Sequence, residues 1–218
     1  MIKIAPSTLA EKEERLVEYV KELQKLNVDY VHCDVMDGKF VQNTCLSYDL
    51  LKEVRANTAL PLDVHLMVKD PNSVLDKYCA LRPTILTVHF EAFSNQGTLM
   101  SAIKKIRKSK ALVGISIKPT TPVNRILHLL PYIDLVLVMG VEPGKSGQKM
   151  ISNTCPKVKE LRGFIYDSNL DVKIEVDGGV NEENLKNLAL AGVDIVVMGK
   201  HFYEHTKKSQ LIDKIHRQ

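Results

Sequence analysis

Apolar residues fall along this chain in short runs rich in β-branched side chains, each followed by a charged or amphipathic stretch. Eight such runs stand out, at residues 2–6, 30–36, 62–68, 85–90, 113–117, 135–141, 173–177 and 195–198. They begin 22 to 38 residues apart, the length of a strand plus a crossover helix. The stretches between them carry helix signals. Between residues 11 and 20, Leu16, Val17 and Val20 form one apolar stripe among charged residues. Asn181 is a natural N-cap, with Glu182 and Glu183 in the first turn behind it. Asp70-Pro71 and Thr121-Pro122 put proline where a helix begins, and Gly192 ends one after Ala191.

Strand and helix alternating eight times imply parallel strands joined by right-handed crossovers. The expected architecture is a single (β/α)8 TIM barrel formed by one domain over residues 1–218, and the alternative is an open doubly wound sheet. The barrel is preferred because Asp37-Gly38, Pro143-Gly144, Gly178-Gly179 and Gly199 all follow the C-terminal ends of strands. That rim is where barrel enzymes gather their chemistry.

Composition narrows the function without naming it. The net charge of +4, from 30 basic and 26 acidic residues, is too mild to suggest a nucleic-acid partner. The basic stretch at 104–110 reads as a solvated helix end, where cations complement the helix dipole. Cys33, Cys45, Cys79 and Cys155 show no CxxC or zinc-ribbon spacing, as expected of reduced thiols. No signal-peptide apolar region opens the chain, and no apolar run reaches bilayer-spanning length. These features point to a cytoplasmic protein without membrane contact.

The candidate chemistry lies in three strands. In His32-Cys33-Asp34, side chains at i and i+2 share a face, so His32 and Asp34 point together, about 6–7 Å apart along the backbone. Buried ionisable groups are normally paired or bound to a metal. His65 repeats the oddity in a second strand, and Asp177 ends a third. Two imidazoles and two carboxylates suit one divalent metal of the Zn, Mn, Co or Fe(II) kind better than Ca or Mg. Three glycine-bearing loops follow consecutive strands: Gly144-Lys145-Ser146-Gly147, Gly178-Gly179 and Gly199-Lys200. Glycine lets backbone N–H groups approach an anion, and the loops after barrel strands 7 and 8 commonly hold phosphate. Met36, Met67 and Met139 sit near strand ends, as core filler or as an apolar cap over a reacting centre.

The runs Ala5-Pro6-Ser7, His32 to Val41, Asp63 to Met67, Pro143-Gly144 with Gly147-Gln148, and Glu175 to Asn181 resemble the ribulose-phosphate 3-epimerase family in order and spacing. The resemblance implies a barrel of the ribulose-phosphate-binding type that holds one divalent metal at His32, Asp34, His65 and Asp177. It implies Asp34 and Asp177 as the acid/base pair that inverts C3 of a ketose phosphate, interconverting D-ribulose 5-phosphate and D-xylulose 5-phosphate. It implies substrate contacts from Ser7, His65, Gly144 to Gly147, Gly178, Gly179, Gly199 and Lys200, and a homo-oligomeric enzyme. Asp37 reads as a turn residue beside Gly38 rather than a ligand.

The chain departs from the family pattern at the rim. Glu142-Pro143-Gly144-Lys145-Ser146-Gly147-Gln148 stands where Asn-Pro-Gly-Phe-Gly-Gly-Gln is usual. Gly199-Lys200 replaces Gly-Ser, Lys118-Pro119 replaces Asn-Pro, and Gln42 replaces a proline. These changes leave a hexulose 6-phosphate, such as D-allulose 6-phosphate, open as the alternative substrate. A lyase-type barrel would want an interior lysine, for which Lys118 is the candidate, though it reads as a rim residue. A non-catalytic sugar-phosphate-binding barrel is the remaining alternative, and it would have little need of both carboxylates.

Overall fold

The computed structural model describes residues 1–218. Eight parallel strands form the barrel: β1 (Lys3–Pro6), β2 (Val31–Asp37), β4 (Leu62–Met67), β5 (Ile85–His89), β6 (Leu112–Ile117), β7 (Leu135–Met139), β8 (Lys173–Asp177) and β9 (Ile195–Met198). They run in the order β1-β9-β8-β7-β6-β5-β4-β2. A further strand, β3 (Thr44–Cys45), pairs antiparallel with the end of β2. Closure between β1 and β2 rests on little backbone pairing. Ser7 bridges His32, and Tyr30 N–H donates to the Ile4 carbonyl at 3.2 Å.

Each of the eight apolar runs forms a strand, with ends within two residues of those read from the sequence. The two-residue β3 has too little pattern to be read in advance. Helices α1 (Leu16–Lys25), α2 (Tyr48–Ala56), α3 (Leu75–Ala80), α4 (Gln96–Lys108), α5 (Thr154–Asp167), α6 (Glu182–Ala191), α7 (Lys200–Glu204) and α8 (Lys208–His216) cover the barrel. Asn181 caps α6 through a capping box, and Gly192 ends it in the left-handed conformation at φ 97°. The helix expected from residue 11 begins at Leu16, and its buried stripe is Leu16, Tyr19, Val20 and Leu23; Val17 lies at the edge. Pro71 opens a 3-10 turn that precedes α3. No α-helix follows Thr121-Pro122. The β6–β7 connection holds only 3-10 turns at Val123–Arg125 and Leu127–Tyr132. Pro119, Pro122 and Pro131 withhold three N–H donors there, which disfavours a continuous helical ladder.

Strand alternation divides the buried residues into two cores. Outward-facing Val31, Cys33, Val35, Val64, Leu66 and Ile115 join a cluster of 55 buried residues between sheet and helices. Inside the barrel a separate cluster of 9 includes Ala5, Ile85, Leu135, Leu137, Ile195 and Val197. The rest of the interior is polar: His32, Asp34, Asp63, His65, Thr87, His89, Ser116 and Glu175 are all buried. Gly114 is required in this layer, since a Cβ there would stand 2.1 Å from Thr87 Oγ1. The barrel therefore fills one part of its interior with hydrocarbon and reserves the other for ionisable groups. No helix is long and apolar enough to cross a membrane.

Candidate active site

β2 and β4 pair in register with Asp34 opposite His65 and His32 opposite Asp63. The pleat turns all four inward. The barrel brings Asp177, at the end of β8, to the same point. His32 Nε2 lies 3.2 Å from Asp34 Oδ1 and 4.0 Å from Asp177 Oδ2. His65 Nδ1 lies 3.3 Å from Asp34 Oδ1 and 3.9 Å from Asp177 Oδ2. One donor atom from each of the four residues fits within a mutual separation of 4.8 Å.

These residues fit a divalent metal. Bonds of about 2.0–2.2 Å place neighbouring tetrahedral donors roughly 3.3–3.6 Å apart, within the spread found here. His32 Nε2 is buried and makes no hydrogen bond, an orphan that faces the two carboxylates. Its other nitrogen, Nδ1, bonds Asp63 Oδ2. A carboxylate behind a histidine in this way fixes the ring and aims its free nitrogen at a metal.

Asp63 and Glu175 are functional-site neighbours that sequence reading missed. Both are fully buried. Glu175 Oε1 lies 3.9 Å from His32 Nδ1, and neither Glu175 oxygen has a hydrogen-bond partner. Burial first, then the Asp63 charge, raises the Glu175 carboxyl well above its ordinary range, so it holds a proton. His32, Asp63 and Glu175 also come within metal-binding distance of one another. With His32 Nδ1 already bonded to Asp63 and Glu175 neutral, that trio is a proton-bearing support for the centre above it.

The two central carboxylates differ in charge. Burial would raise Asp34, but the charge of His32, 3.2 Å away, and the hydrogen bond with His65 hold it well below the usual carboxylate range. At Asp177, burial and then the Asp34 charge prevail, and the group is raised to about 6. Burial would lower His32, but Asp63 and Asp34 outweigh it and raise the imidazole well above its ordinary value. Without metal, protons therefore occupy His32 at neutral pH and Asp177 up to about pH 6. Metal binding must displace them. Affinity should rise about a hundredfold per pH unit below pH 6, where two protons leave, and about tenfold per unit just above it. Zn2+ titrations against a chelating indicator at pH 5, 6 and 7 check this, and an affinity independent of pH refutes it.

Above the cluster opens a cavity of about 240 Å3. Ser7, Asp34, Asp177 and the three methionines Met36, Met67 and Met139 line its floor. Ser7 Oγ donates to Asp34 Oδ2 at 2.7 Å and accepts from Leu9 N–H at 3.0 Å. Gly144, Lys145, Ser146, Gly147, Gly178, Gly179, Gly199 and Lys200 line the other end. Gly179 has φ 70°, and a Cβ there would stand 2.2 Å from Met150 N, so the loop tolerates no side chain. Gln148 braces the 142–148 loop by donating to the carbonyls of Glu142 and Lys145 at 2.8 and 3.0 Å. His65 is fully buried beneath the floor and does not line the cavity, because Asp34 stands in front of it.

Two rim expectations resolve clearly. Asp37 is a turn residue: Oδ1 accepts from the N–H groups of Lys39 and Phe40, and Oδ2 accepts from Lys69 N–H, each at 2.8 Å. Lys118 lies past the end of β6, with its ammonium 4.4 Å from the Phe40 ring centroid. It is a rim residue and not an interior lysine.

On the far side of His65 stands His89, also missed from sequence. Their Nε2 atoms lie 2.9 Å apart, and His89 Nδ1 lies 3.2 Å from Glu91 Oε2. Burial holds His89 down to about 4, so the ring is neutral. Burial would raise Glu91, but hydrogen bonds from His89, Thr121 and the Lys118 N–H bring it to about 2.

The family model described as "Ribulose-phosphate 3 epimerase family" matches residues 3–203. Ribulose-phosphate 3-epimerase of Bacillus subtilis (strain 168) is 38% identical over 216 residues, covering 99% of this chain and 98% of the relative. The enzyme of the same name from Treponema pallidum (strain Nichols) is 38% identical over 208 residues, covering 95% of this chain and 94% of its own. Among solved structures, KGPDC from Streptococcus mutans superposes with a TM-score of 0.72 at 14% identity, covering 100% of this chain and 98% of its own. A 3-hexulose-6-phosphate synthase reaches 0.68 at 14% identity, covering 99% and 98%. At such identities these two speak for the fold alone, and they agree with the (β/α)8 barrel. The relatives, matched almost from end to end, carry more: this chain belongs to the ribulose-phosphate 3-epimerase family and is an epimerase-type isomerase.

Proposed function

We propose that the chain is a metal-dependent 3-epimerase that interconverts D-ribulose 5-phosphate and D-xylulose 5-phosphate. The observation that carries this reading is the pair of carboxylates Asp34 and Asp177, which come from different strands and line one cavity. Inversion at C3 needs a base on one face of the carbon and an acid on the other. The C3 proton is acidic because the C2 ketone beside it can take up charge as an enediolate. Asp34, held ionised by His32 and His65, begins as the base. Asp177 serves the opposite face; the two hold opposite protonation states at the start of a turnover and exchange them by its end. Ser7, bonded to Asp34, fixes the carboxylate that faces the substrate.

His32, His65, Asp34 and Asp177 would hold the metal, of the Zn, Mn, Co or Fe(II) kind, and its Lewis acidity lowers the cost of negative charge on the C2 and C3 oxygens. Gly144, Gly147, Gly178, Gly179 and Gly199 offer backbone N–H groups to the phosphate, with Lys145, Ser146 and Lys200 beside them. Met36, Met67 and Met139 keep water from the reacting carbon on the apolar side.

The test is exchange of the C3 hydrogen in deuterated water, followed across pentulose and hexulose phosphates. Epimerisation with exchange is expected, fastest on ribulose 5-phosphate. A faster reaction on a hexulose 6-phosphate would transfer the same mechanism to that substrate. Carbon–carbon cleavage, or binding without any exchange, would overturn the reading.

A further inference from the structure

We propose that the cleft between the 38–43 and 142–148 segments is a second anion site, which takes a phosphate group beside the catalytic cavity. The inference goes beyond the proposed reaction and uses it only to name a ligand that fills that cavity.

The cleft encloses about 380 Å3. Its lining sets Lys39, Lys118 and Lys145 against one acidic residue, Glu142. Three ammonium groups and one carboxylate leave a net charge of +2. A phosphate ester carries close to two negative charges at neutral pH, so the charges match. None of the three ammonium groups is held in an ion pair, whereas Lys200 in the catalytic cavity pairs with Glu204 at 3.7 Å.

Unpaired lysines on a convex surface are ordinary solvated groups. Here they stand in a concavity on fixed backbone. Gly38 turns the chain with φ 69°, and Asp37 Oδ1 accepts from the Lys39 and Phe40 N–H groups at 2.8 Å. Lys118 is held at both backbone ends. Its N–H donates to Glu91 at 2.8 Å, and its carbonyl accepts from the Lys157 ammonium at 3.0 Å. Its own ammonium rests over the Phe40 ring, which lies 4.6 Å from the buried ring of His89. Gln148 braces the loop that carries Lys145. Groups fixed in advance lower the ordering cost of binding. The rim departures described above also gather here: Gln42, Lys118, Glu142 and Lys145 all line this one cleft.

Cleft and catalytic cavity share a wall. Glu142, Pro143, Gly144, Lys145 and Gln148 line both. Asn43 Nδ2 donates to the Gly144 carbonyl at 2.8 Å and ties the two segments together. Lys145 is the lysine common to both, so an anion in the cleft competes for it with the phosphate of the sugar. By linkage each ligand weakens the other by the same factor. The phosphate in the cleft belongs either to a free metabolite or to a second phosphate on the ketose itself.

The experiment uses the full chain loaded with metal and follows backbone amides by NMR at low salt. Inorganic phosphate is titrated while saturating ribulose 5-phosphate fills the catalytic cavity. The Gly38, Lys39 and Phe40 amides should shift saturably, while those of Gly178 and Gly199, already engaged by the sugar phosphate, stay in place. Lys39→Gln combined with Lys118→Asn should weaken this binding about tenfold and leave kcat on ribulose 5-phosphate unchanged. Unmoved Gly38 to Phe40 amides, or a double variant that binds as tightly as the parent, overturn the proposal. A ketose 1,5-bisphosphate then separates the two sources. Binding tighter than that of the monophosphate, with the advantage lost in the double variant, assigns the second phosphate to the sugar. Equal binding, with inorganic phosphate still titrating the cleft, assigns it to a free anion. A chain that epimerises no ketose phosphate would refute the proposed function, and the same phosphate titration without sugar would still read the cleft.

Discussion

Replacing Asp177 with asparagine is expected to abolish inversion while sparing half of the proton chemistry. Epimerisation should fall by about 10²–10⁴-fold, the contribution of one positioned acid or base. Asp34 remains, still held ionised by His32 and His65. It can still remove the C3 proton from the epimer whose hydrogen faces it, and return it to that same face. The variant should therefore wash deuterium into one epimer at C3 without producing the other. Asp34→Asn should show the complementary pattern, with exchange confined to the opposite epimer. Both measurements are made at saturating metal, since each residue is also a proposed ligand. Equal loss of exchange from both epimers in metal-loaded Asp177→Asn would rule out the two-base assignment.

The second large effect lies beneath the reacting groups. Asp63→Leu is expected to destabilise the fold by about 3–5 kcal/mol, the usual result of removing one partner from a buried charged pair. Both His32 and Asp63 are fully buried and bonded to each other. With Asp63 gone, the His32 N–H faces leucine, and only the neutral Glu175 is nearby. Typical domains have about 5–15 kcal/mol in all, so the loss would be visible as a large drop in the urea midpoint. Asp63→Asn keeps an oxygen to accept from His32 and should lose much less. A leucine variant as stable as the parent would show that Asp63 is not what compensates the buried histidine.

The sequence made the central cluster readable because a strand has a period of two. His32 and Asp34 share a face by spacing alone, and His65 and Asp177 repeat the pattern in strands of similar character. The same rule reaches further than it was taken. Asp63 lies two residues before His65 and Glu175 two before Asp177, so both face inward one step below the site. Their support role depends on a pairing across strands, His32 opposite Asp63, which register fixes and local pattern does not. His89 and Glu91 were harder to see. One strand-end histidine has no spacing partner, and its link to Glu91 forms only because a 3-10 turn at Phe90–Ala92 folds the chain back. At the rim, proline marked the β6–β7 connection correctly as a boundary but not as a place where no α-helix forms. The substrate-end loops were located by their glycines. Their chemistry in this chain depends on Lys145, Ser146 and Lys200, whose disposition no periodicity encodes.

The closure of the barrel has a consequence for how this protein loses activity. Seven strand interfaces are held by regular ladders, whereas β1 meets β2 through the Ser7–His32 bridge and one further backbone bond. The seam of the cylinder thus passes through the reaction centre, and the Ser7 hydroxyl that crosses it ends on the Asp34 carboxylate. Local opening draws on the least secured part of a fold. Here that part and the proton-transfer machinery coincide, so the rate of turnover doubles as a gauge of whether the cylinder is shut. Heating or mild denaturant that merely parts this join would silence the enzyme while its helices and the other seven interfaces stayed intact.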